Sequence, residues 1–205
     1  CLLASSAGPL TWTSCCADGL PLLHLAAMNE ASSAQDLVAV ITLLVQYGAS
    51  PARKDEDGDT AMTAVMTLTE DADRAGEEGE AEAIQAAKTL HVAAVRTFLQ
   101  CPAQPVEEPE VRAVCSWLRS YIPKCHHTAV LGDLRQRASE QVVEEAWAGE
   151  EFLEYLERRT FEEEAGVEFA QVQQFISRGA SPRTQQNGAT AFLMVVLNPY
   201  TSSLA

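Results

Sequence analysis

One phrase occurs twice in this chain, as GASPARKDEDG at residues 48–58 and as GASPRTQQNG at residues 179–188. Each copy begins with a glycine, continues through a proline and a polar run, and ends at a second glycine. Glycine adopts the left-handed conformation that ends many helices at the least steric cost. We therefore predict that Gly48 and Gly179 each end a helix, and that an exposed turn follows each of them.

The residues around the first copy predict short helices on both sides of the turn. Pro21 suits the first position of a helix, and residues 22–27 are largely apolar. Residues 36–47 place apolar side chains at helical spacing. An Asp-Gly dipeptide ending at Gly58 is typical of a tight turn, and Thr60 is a residue type that caps a following helix.

This order of helix, helix, glycine, turn and helix resembles the ankyrin repeat. The stretch GLPLLHLAA at residues 19–27 is similar to the ankyrin opening G-x-T-P-L-H-x-A-A, and GASPARKDEDGDTAM at residues 48–62 is similar to the connection between ankyrin repeats. The stretch VQQFISRGASPRTQQNGATAFLMVV at residues 172–196 repeats the helix end, the glycine and the turn, one residue shorter. The resemblance covers residues 17–66 and 166–198, under half of the chain.

The resemblance implies an all-α fold, namely an ankyrin-like helical-repeat solenoid with an enlarged or degenerate helical middle. It also implies that His24 hydrogen-bonds to neighbouring backbone and ties adjacent repeats together. The chain departs from the family pattern at three positions. Pro21 stands where the family has threonine, and Thr63 and Leu193 stand where it has histidine.

We expect four segments: an N-terminal extension, ankyrin-like repeats, a helical middle, and a C-terminal ankyrin-like repeat with its tail, at residues 1–16, 17–66, 67–165 and 166–205. The two GASP glycines are separated by close to four repeat periods of about 33 residues. Two arrangements of the middle stay open. We favour degenerate or enlarged helical pairs, and the alternative is a helical insertion between ankyrin units.

The middle contains several predicted helices. Residues 82–100 read as one continuous helix, and two further apolar stripes follow at helical spacing. The first stripe contains Val111, Val114, Trp117 and Leu118, and the second contains Phe152, Leu153, Leu156 and Phe161. Prolines are expected to break these helices at Pro102, Pro105, Pro109 and Pro123.

The net charge of −15 excludes the basic stripe that nucleic-acid binding requires. It favours protein partners with basic surfaces, although high negative charge also serves solubility. The longest nearly apolar run, at residues 37–45, is about half of a membrane span, so no membrane insertion is expected. Six cysteines without regular spacing favour reduced thiols and an intracellular location, with the compartment open.

Two stretches suggest metal chemistry, and we favour a simpler interpretation of both. Residues 71–82, within the acidic stretch 70–83, place Asp, Asp, Gly and Glu close to the positions of an EF-hand calcium loop, but Ala75 removes one ligand. An acidic solvated connector is favoured there. Cys125-His126-His127 lacks the converging ligands of a zinc site, so exposed histidines beside a proline-ended helix are favoured.

No catalytic motif, phosphate-binding glycine loop or cofactor signature is present, so we predict a non-enzymatic protein and no cofactor. The predicted function is protein–protein interaction, as an adaptor or as an accessory or structural subunit of a larger assembly. The alternative is a calcium-responsive regulator, or an enzyme with an unrecognised site in the helical middle. The candidate partner-binding residues are Arg53, Lys54, Asp55, Glu56 and Asp57 in the first turn, Gln185, Gln186 and Asn187 in the second, and Trp147 in the middle.

Overall fold

The computed structural model describes residues 21–29, 33–75, 81–101, 106–162, 166–186 and 189–198. Over these ranges the fold is all-α, as predicted, apart from one antiparallel pair of two-residue strands. The chain divides into two compact units, Cys1–Gln104 and Pro105–Ala205. The division falls inside the predicted helical middle, and each unit contains one copy of the GASP turn.

The described part of the first unit contains four helices: α1 (Leu22–Ala27), α2 (Ala34–Gln46), α3 (Ala61–Ala75) and α4 (Ala81–Gln100). The predicted helices at 22–27, 36–47 and 82–100 are therefore confirmed to within two residues. Ser33 begins α2, because its hydroxyl oxygen accepts a hydrogen bond from the Asp36 N–H at 3.1 Å. Thr60 begins α3 in the same way, accepting from the Thr63 N–H at 3.3 Å.

The core of the first unit lies where α1 contacts α2 and α3, and where α4 contacts α2 and α3. Leu37 and Ile41 of α2 are fully buried, as are Ala61 and Val65 of α3. A polar pair is buried with them, since the Thr69 hydroxyl lies 2.9 Å from Nδ1 of His91 on α4. Apolar burial of this extent is the main stabilising term in a unit of this size.

The described part of the second unit contains five helices and one hairpin. The helices are α5 (Glu108–Tyr121), α6 (Lys124–Arg135), α7 (Glu140–Glu157), α8 (Phe169–Ser177) and α9 (Ala191–Leu197), and α7 continues into a π-helical turn at Arg158–Glu162. The hairpin pairs β1 (Gln185–Gln186) with β2 (Ala189–Thr190). Thr190 begins α9 by accepting from the Leu193 N–H at 3.2 Å.

Helix α7 is the centre of the second unit, because it contacts α5, α6, α8 and α9. Both predicted apolar stripes are buried on it or against it, although the side chain of Phe161 lies outside the described part. Phe152 of α7 stacks on Phe175 of α8 with ring centroids 5.3 Å apart. Ala180 and Ala191, on either side of the second turn, join the same core.

The predicted effect of the prolines holds at one of the two described positions. Pro123 lies between α5 and α6, where it separates the two helices. Pro109 was expected to break a helix, and this prediction is wrong. It lies in the first turn of α5, where backbone N–H groups make no hydrogen bond within the helix. The missing N–H of proline therefore costs the helix nothing there. Pro102 and Pro105 lie outside the described residues.

None of the helices in the described ranges combines the length and the apolar character needed to cross a membrane.

Candidate interaction site

The second GASP turn begins at a helix end of the Schellman type. Gly179 has φ +96°, and its N–H donates to the Ile176 carbonyl at 3.0 Å. The next N–H, of Ala180, reaches the Phe175 carbonyl at 3.0 Å. These two bonds satisfy carbonyls that the helix end would otherwise leave unpaired.

The remainder of the second turn is fixed by backbone hydrogen bonds. The Thr184 N–H donates to the Ser181 carbonyl at 3.0 Å, and the Ala191 N–H donates to the Thr184 carbonyl at 2.9 Å. The Arg183 N–H adds a bond to the Ser181 hydroxyl at 3.2 Å. The backbone of residues 181–184 is therefore held in one conformation, which presents the Arg183 side chain to solvent.

The first GASP turn repeats this geometry. Gly48 has φ +98°, and the Ala49 N–H donates to the Leu44 carbonyl at 2.9 Å, which corresponds to the bond made by Ala180. The Arg53 N–H donates to the Ser50 carbonyl at 3.2 Å, as Thr184 does to Ser181. The prediction that both copies end a helix and enter an equivalent turn is confirmed.

Asp55 organises the first turn from within. Its Oδ1 accepts hydrogen bonds from the N–H groups of Asp57 and Asp59, at 3.1 and 2.9 Å. Its own N–H donates to the Asp59 carbonyl at 2.9 Å. Only 12% of its side chain is exposed, so its carboxylate serves the turn rather than solvent.

His24 connects α1 to the first turn. Its Nε2 lies 2.9 Å from the Asp59 carbonyl oxygen, 35 residues further along the chain, and 3.8 Å from Oδ2 of Asp55. The imidazole is almost fully buried. The predicted hydrogen bond from His24 to neighbouring backbone is therefore present.

The structure separates the predicted partner-binding residues into three environments. Lys54, Glu56 and Asp57 are exposed on the first turn, whereas Arg53 is half-buried and the Asp55 side chain is largely buried there. Gln185 and Gln186 form β1, and their side chains, like the whole of Asn187, lie outside the described part.

Trp147 occupies the third environment, on α7 within the second unit. It is half-buried, and its Nε1 donates to Oε1 of Glu151 at 3.0 Å. Its ring meets the ring of His127 edge-on, with centroids 5.3 Å apart. Much of its surface is thus used inside the unit.

A groove of about 440 Å³ lies between α5, α7 and the second turn. Helix α5 contributes Arg112, Ala113 and Ser116, helix α7 contributes Glu145, Ala146 and Glu150, and the turn contributes Ser181, Arg183 and Thr184. The turn approaches α7 closely because Gly149 carries no side chain. A Cβ at Gly149 would lie 3.0 Å from the Thr184 hydroxyl oxygen.

Both carboxylates of the groove already have partners. Glu150 is buried and accepts from Nε of Arg119 at 2.8 Å, while the same guanidinium reaches Glu157 at 2.8 Å. Burial raises the pKa of the Glu150 carboxyl above its usual value, although Arg119 opposes the shift. Glu145 accepts from the side-chain amide of Gln141 at 2.8 Å.

Cys115 lies on α5 and is fully buried. Burial, assisted by the negative charge of Glu150, raises the pKa of its thiol to about 12. The thiolate is the form that attacks electrophiles and binds metals, so this cysteine is held in its unreactive form. Cys125 is exposed, by contrast.

The acidic stretch does not have the form of a calcium loop over its described residues. Asp71 and Asp73 lie in the last turns of helix α3, whereas an EF-hand requires them in a loop. Asp71 pairs with Arg74 at 3.2 Å, and Asp73 pairs with Lys88 of α4. Residues 76–80 lie outside the described part.

The histidines after Cys125 are not exposed, and this part of the prediction is wrong. His126 and His127 are both half-buried on α6. His127 lies 2.8 Å from the Ile122 carbonyl through Nε2, and it packs on Trp147. Within the described ranges, no three His, Cys, Asp or Glu side chains are placed to hold a metal ion.

Sequence reasoning missed the groove. Arg183 lies within the predicted turn tip but was not singled out there. Arg112 and Ser116 carried no signal, because only the packing of α5 against α7 brings them to the turn. Thr184 lies within the turn and was not singled out either. No family model, curated protein or solved structure matches this chain.

Proposed function

We propose that this chain is a non-enzymatic protein–protein interaction module with an ankyrin-like arrangement of its helices, acting as an accessory subunit of a larger intracellular assembly. The observation that carries the proposal is the apolar surface of α9. Phe192, Leu193 and Val196 are exposed by 59%, 43% and 59% in a helix of seven residues. Exposed apolar side chains grouped in this way mark interaction surfaces.

The first unit carries a comparable surface on α2. Val40, Leu43 and Tyr47 lie at helical spacing and are exposed by 44%, 44% and 53%. Asp36 is the only charged residue of this helix, in a chain of net charge −15. A charge-free apolar stripe on an acidic protein favours a partner that covers it, rather than a purely solvating role.

The ankyrin-like arrangement is supported by the two equivalent turns and by helix contacts in the first unit. There α1 contacts α3 and α2 contacts α4, so like helices of successive pairs lie side by side. His24 bonds to the turn that connects the two pairs. Whether residues 67–165 form degenerate pairs or an insertion stays a prediction.

Two kinds of binding protein differ in the size and polarity of their interfaces. A permanent subunit buries a large apolar interface, whereas a freely exchanging adaptor binds through smaller and more polar contacts. Two exposed apolar surfaces favour the subunit. The remaining acidic surface is suited to basic regions on its neighbours.

The experiment is capture of the tagged full-length protein from cells, with quantitation of co-purifying proteins at low and high salt. Partners held in stoichiometric amounts at high salt are expected. The double substitution Phe192→Gln, Val196→Gln should release them, and Val40→Gln, Leu43→Gln tests the α2 surface in the same way. Gln173→Ala, at an exposed polar position of α8, is the control that should retain them.

Salt-sensitive partners in scattered amounts would instead indicate an adaptor. Absence of any protein above an untagged background would contradict the interaction function itself. The calcium-responsive alternative is tested by calorimetry on the full chain, where heat at submillimolar calcium would support it. We expect no heat of calcium binding, because Asp71 and Asp73 lie in a helix and are already ion-paired.

A further inference from the structure

We propose that helices α8 and α9 bind an amphipathic helix of a partner protein, which takes the place that α4 occupies in the first unit. This inference rests on the proposed function, because it names the kind of segment that covers the exposed face of α9.

The two units repeat one arrangement of three helices around the GASP turn. In the first unit, α1 contacts both the helix before the turn, α2, and the helix after it, α3. In the second unit, α7 contacts α8 and α9 in the same way. Because Gly48 and Gly179 each follow the helix before the turn and have the same left-handed conformation, the two copies can be compared position by position.

A fourth helix completes this arrangement in the first unit. Helix α4 packs against both α2 and α3, and its residues 90–99 are largely buried. Among the described helices of the second unit, only α7 makes extensive contact with α8 and with α9. The counterpart of α4 is therefore missing from the described part of the second unit.

The apolar positions of α3 recur on α9, but they are exposed there. Counted from the threonine that caps each helix, Phe192 and Val196 of α9 correspond to Met62 and Met66 of α3. The two methionines are buried, whereas Phe192 and Val196 are each exposed by 59%. Helix α9 thus has the apolar face of α3 without the cover that α3 has.

The helix before the turn shows the same difference. Counted back from the turn glycine, Phe169 and Ile176 of α8 correspond to Val38 and Val45 of α2. The two valines are half-buried, whereas Phe169 and Ile176 are exposed by 62% and 49%. Because the two units are equivalent around the turn, a helix placed on α8 and α9 as α4 is placed on α2 and α3 would cover these side chains.

The composition of α8 and α9 defines the chemistry of the occupant. Their sequences, FAQVQQFIS and AFLMVVL, contain no charged residue in a chain of net charge −15. A charged side chain buried against them would find no opposite charge on either helix, which is unfavourable. The contacting face of the partner helix is therefore apolar, with side chains three and four residues apart, as in Leu90, Ala94, Val95 and Phe98 of α4.

A second copy of this chain is a poorer occupant. Its α4 is already buried within its own first unit, so it could reach another copy only if that unit opened. Its exposed α2 surface could reach α8 and α9, but such a head-to-tail contact adds copy after copy unless it closes into a ring. A net charge of −15 on every copy opposes this growth.

The test is selection from a phage-displayed library of helical peptides randomised over one face, with the full-length protein immobilised. Wild type should enrich peptides that carry apolar residues three and four positions apart on that face. The most enriched peptide is then synthesised, and its affinity for wild type and for substituted proteins is measured by fluorescence anisotropy.

Substitutions on both helices should weaken binding of the same peptide. The pair Phe192→Gln, Val196→Gln on α9 and the pair Phe169→Gln, Ile176→Gln on α8 should each lower its affinity at least about tenfold. Leu25→Gln is the control, because it replaces an exposed apolar side chain of α1 and should change the affinity less than about twofold. Circular dichroism of each variant separates a lost contact from a lost fold.

Three results would overturn the inference: no selected peptide, a peptide whose affinity is unchanged by the α8 pair, or an equal loss in Leu25→Gln. The second is decisive because a helix placed as α4 must contact both helices. Analytical ultracentrifugation tests the second copy as occupant. Association that rises with protein concentration and is abolished by the α9 pair would assign the face to another copy and would also overturn the inference.

The helix-binding face and the interaction function can fail separately. In the capture experiment, partners that are released by the α9 pair but retained by the α8 pair would support the interaction function and reject a helix lying across α8 and α9.

Discussion

His24 and Asp59 are joined by a partly buried hydrogen bond: Nε2 of the imidazole lies 2.9 Å from the carbonyl oxygen at the end of the first turn. The same carbonyl accepts a hydrogen bond from the Asp55 N–H, and the Asp55 carboxylate accepts hydrogen bonds from two N–H groups of the turn. The backbone of Asp59 thus links α1, through His24, to the first turn, through Asp55. Loss of any of these bonds should weaken the others.

We expect His24→Ala to lower the free energy of unfolding by about 2–4 kcal/mol, because it removes a buried side chain and leaves a cavity beside a less well bonded carbonyl. Urea denaturation followed by circular dichroism measures the change. His126→Ala, a half-buried histidine on α6, is the control and should cost less than about 1 kcal/mol. Equal losses in the two variants would contradict the connecting role of His24.

Gly179 should tolerate alanine less well than Gly58. Both have positive φ, so alanine strains the backbone at either position by about 1–2 kcal/mol. A Cβ at Gly179 would also lie 2.6 Å from Cγ of Glu145, whereas nothing lies within 4 Å at Gly58. We expect a larger loss of unfolding free energy for Gly179→Ala in urea titrations.

The clash at Gly179 can be isolated by a double-mutant cycle. Glu145→Ala removes the atom that a new Cβ would meet, so Gly179→Ala should cost less in that background. An unchanged cost would show that backbone strain alone accounts for the loss.

Glu150 should make stability depend on pH. Its folded pKa is raised above the ordinary 4.5 by burial, so the folded state retains this proton when the unfolded state has lost it. Its stabilising contribution is therefore complete below about pH 4.5 and declines as pH rises toward the raised folded value. The difference in unfolding free energy between wild type and Glu150→Gln should decline over that range, and a difference that rises with pH would contradict the shift.

Arg119→Met should be strongly destabilising at neutral pH. It leaves the Glu150 carboxylate buried without its cation, and losses of this kind are about 3–5 kcal/mol. Adding Glu150→Met should restore much of the loss, because two apolar side chains can replace a buried ion pair. Urea titrations of the single and double variants measure both effects.

The cysteines on α5 and α6 should differ in reactivity. Cys125 is exposed, whereas Cys115 is buried with a pKa of about 12. At pH 8 iodoacetamide should modify Cys125 at least about 100-fold faster, because Cys115 has little thiolate and no access. Peptide mass spectrometry after timed labelling gives both rates, and comparable rates in the folded protein would contradict the burial of Cys115.

The repeated turn was predictable because its determinants are local. Gly48 and Gly179 stand where the turn requires a positive φ, and Thr60 is a residue type that caps a following helix, so all three were recognised from the sequence itself. Thr190 caps α9 in the same way, although it was not predicted to do so. Helix positions followed from apolar spacing for the same reason. The hydrogen bonds of the Asp55 carboxylate could not be predicted from the sequence, since an aspartate in a turn can bond to the backbone or face solvent.

The groove could not be predicted, because its residues are distant in sequence. Arg112 and Arg183 line one cavity only after α5 packs on α7 and Gly149 lets the turn approach. The pairing of Glu150 with Arg119 is likewise set by packing rather than by spacing along a helix. These relationships belong to tertiary structure, and a single sequence does not record them.

The central position of α7 has a consequence for synthesis of the chain. Helices α5 and α6 precede α7, so they can associate with it while translation continues. Phe152, Leu153 and Leu156, however, belong to a core cluster that also includes Ala180 and side chains of α8 and α9. Until residues 191–197 have left the ribosome, part of the apolar surface of α7 is uncovered in the nascent chain. Chaperones bind exposed apolar surface of this kind, so we expect them to bind the chain during this interval.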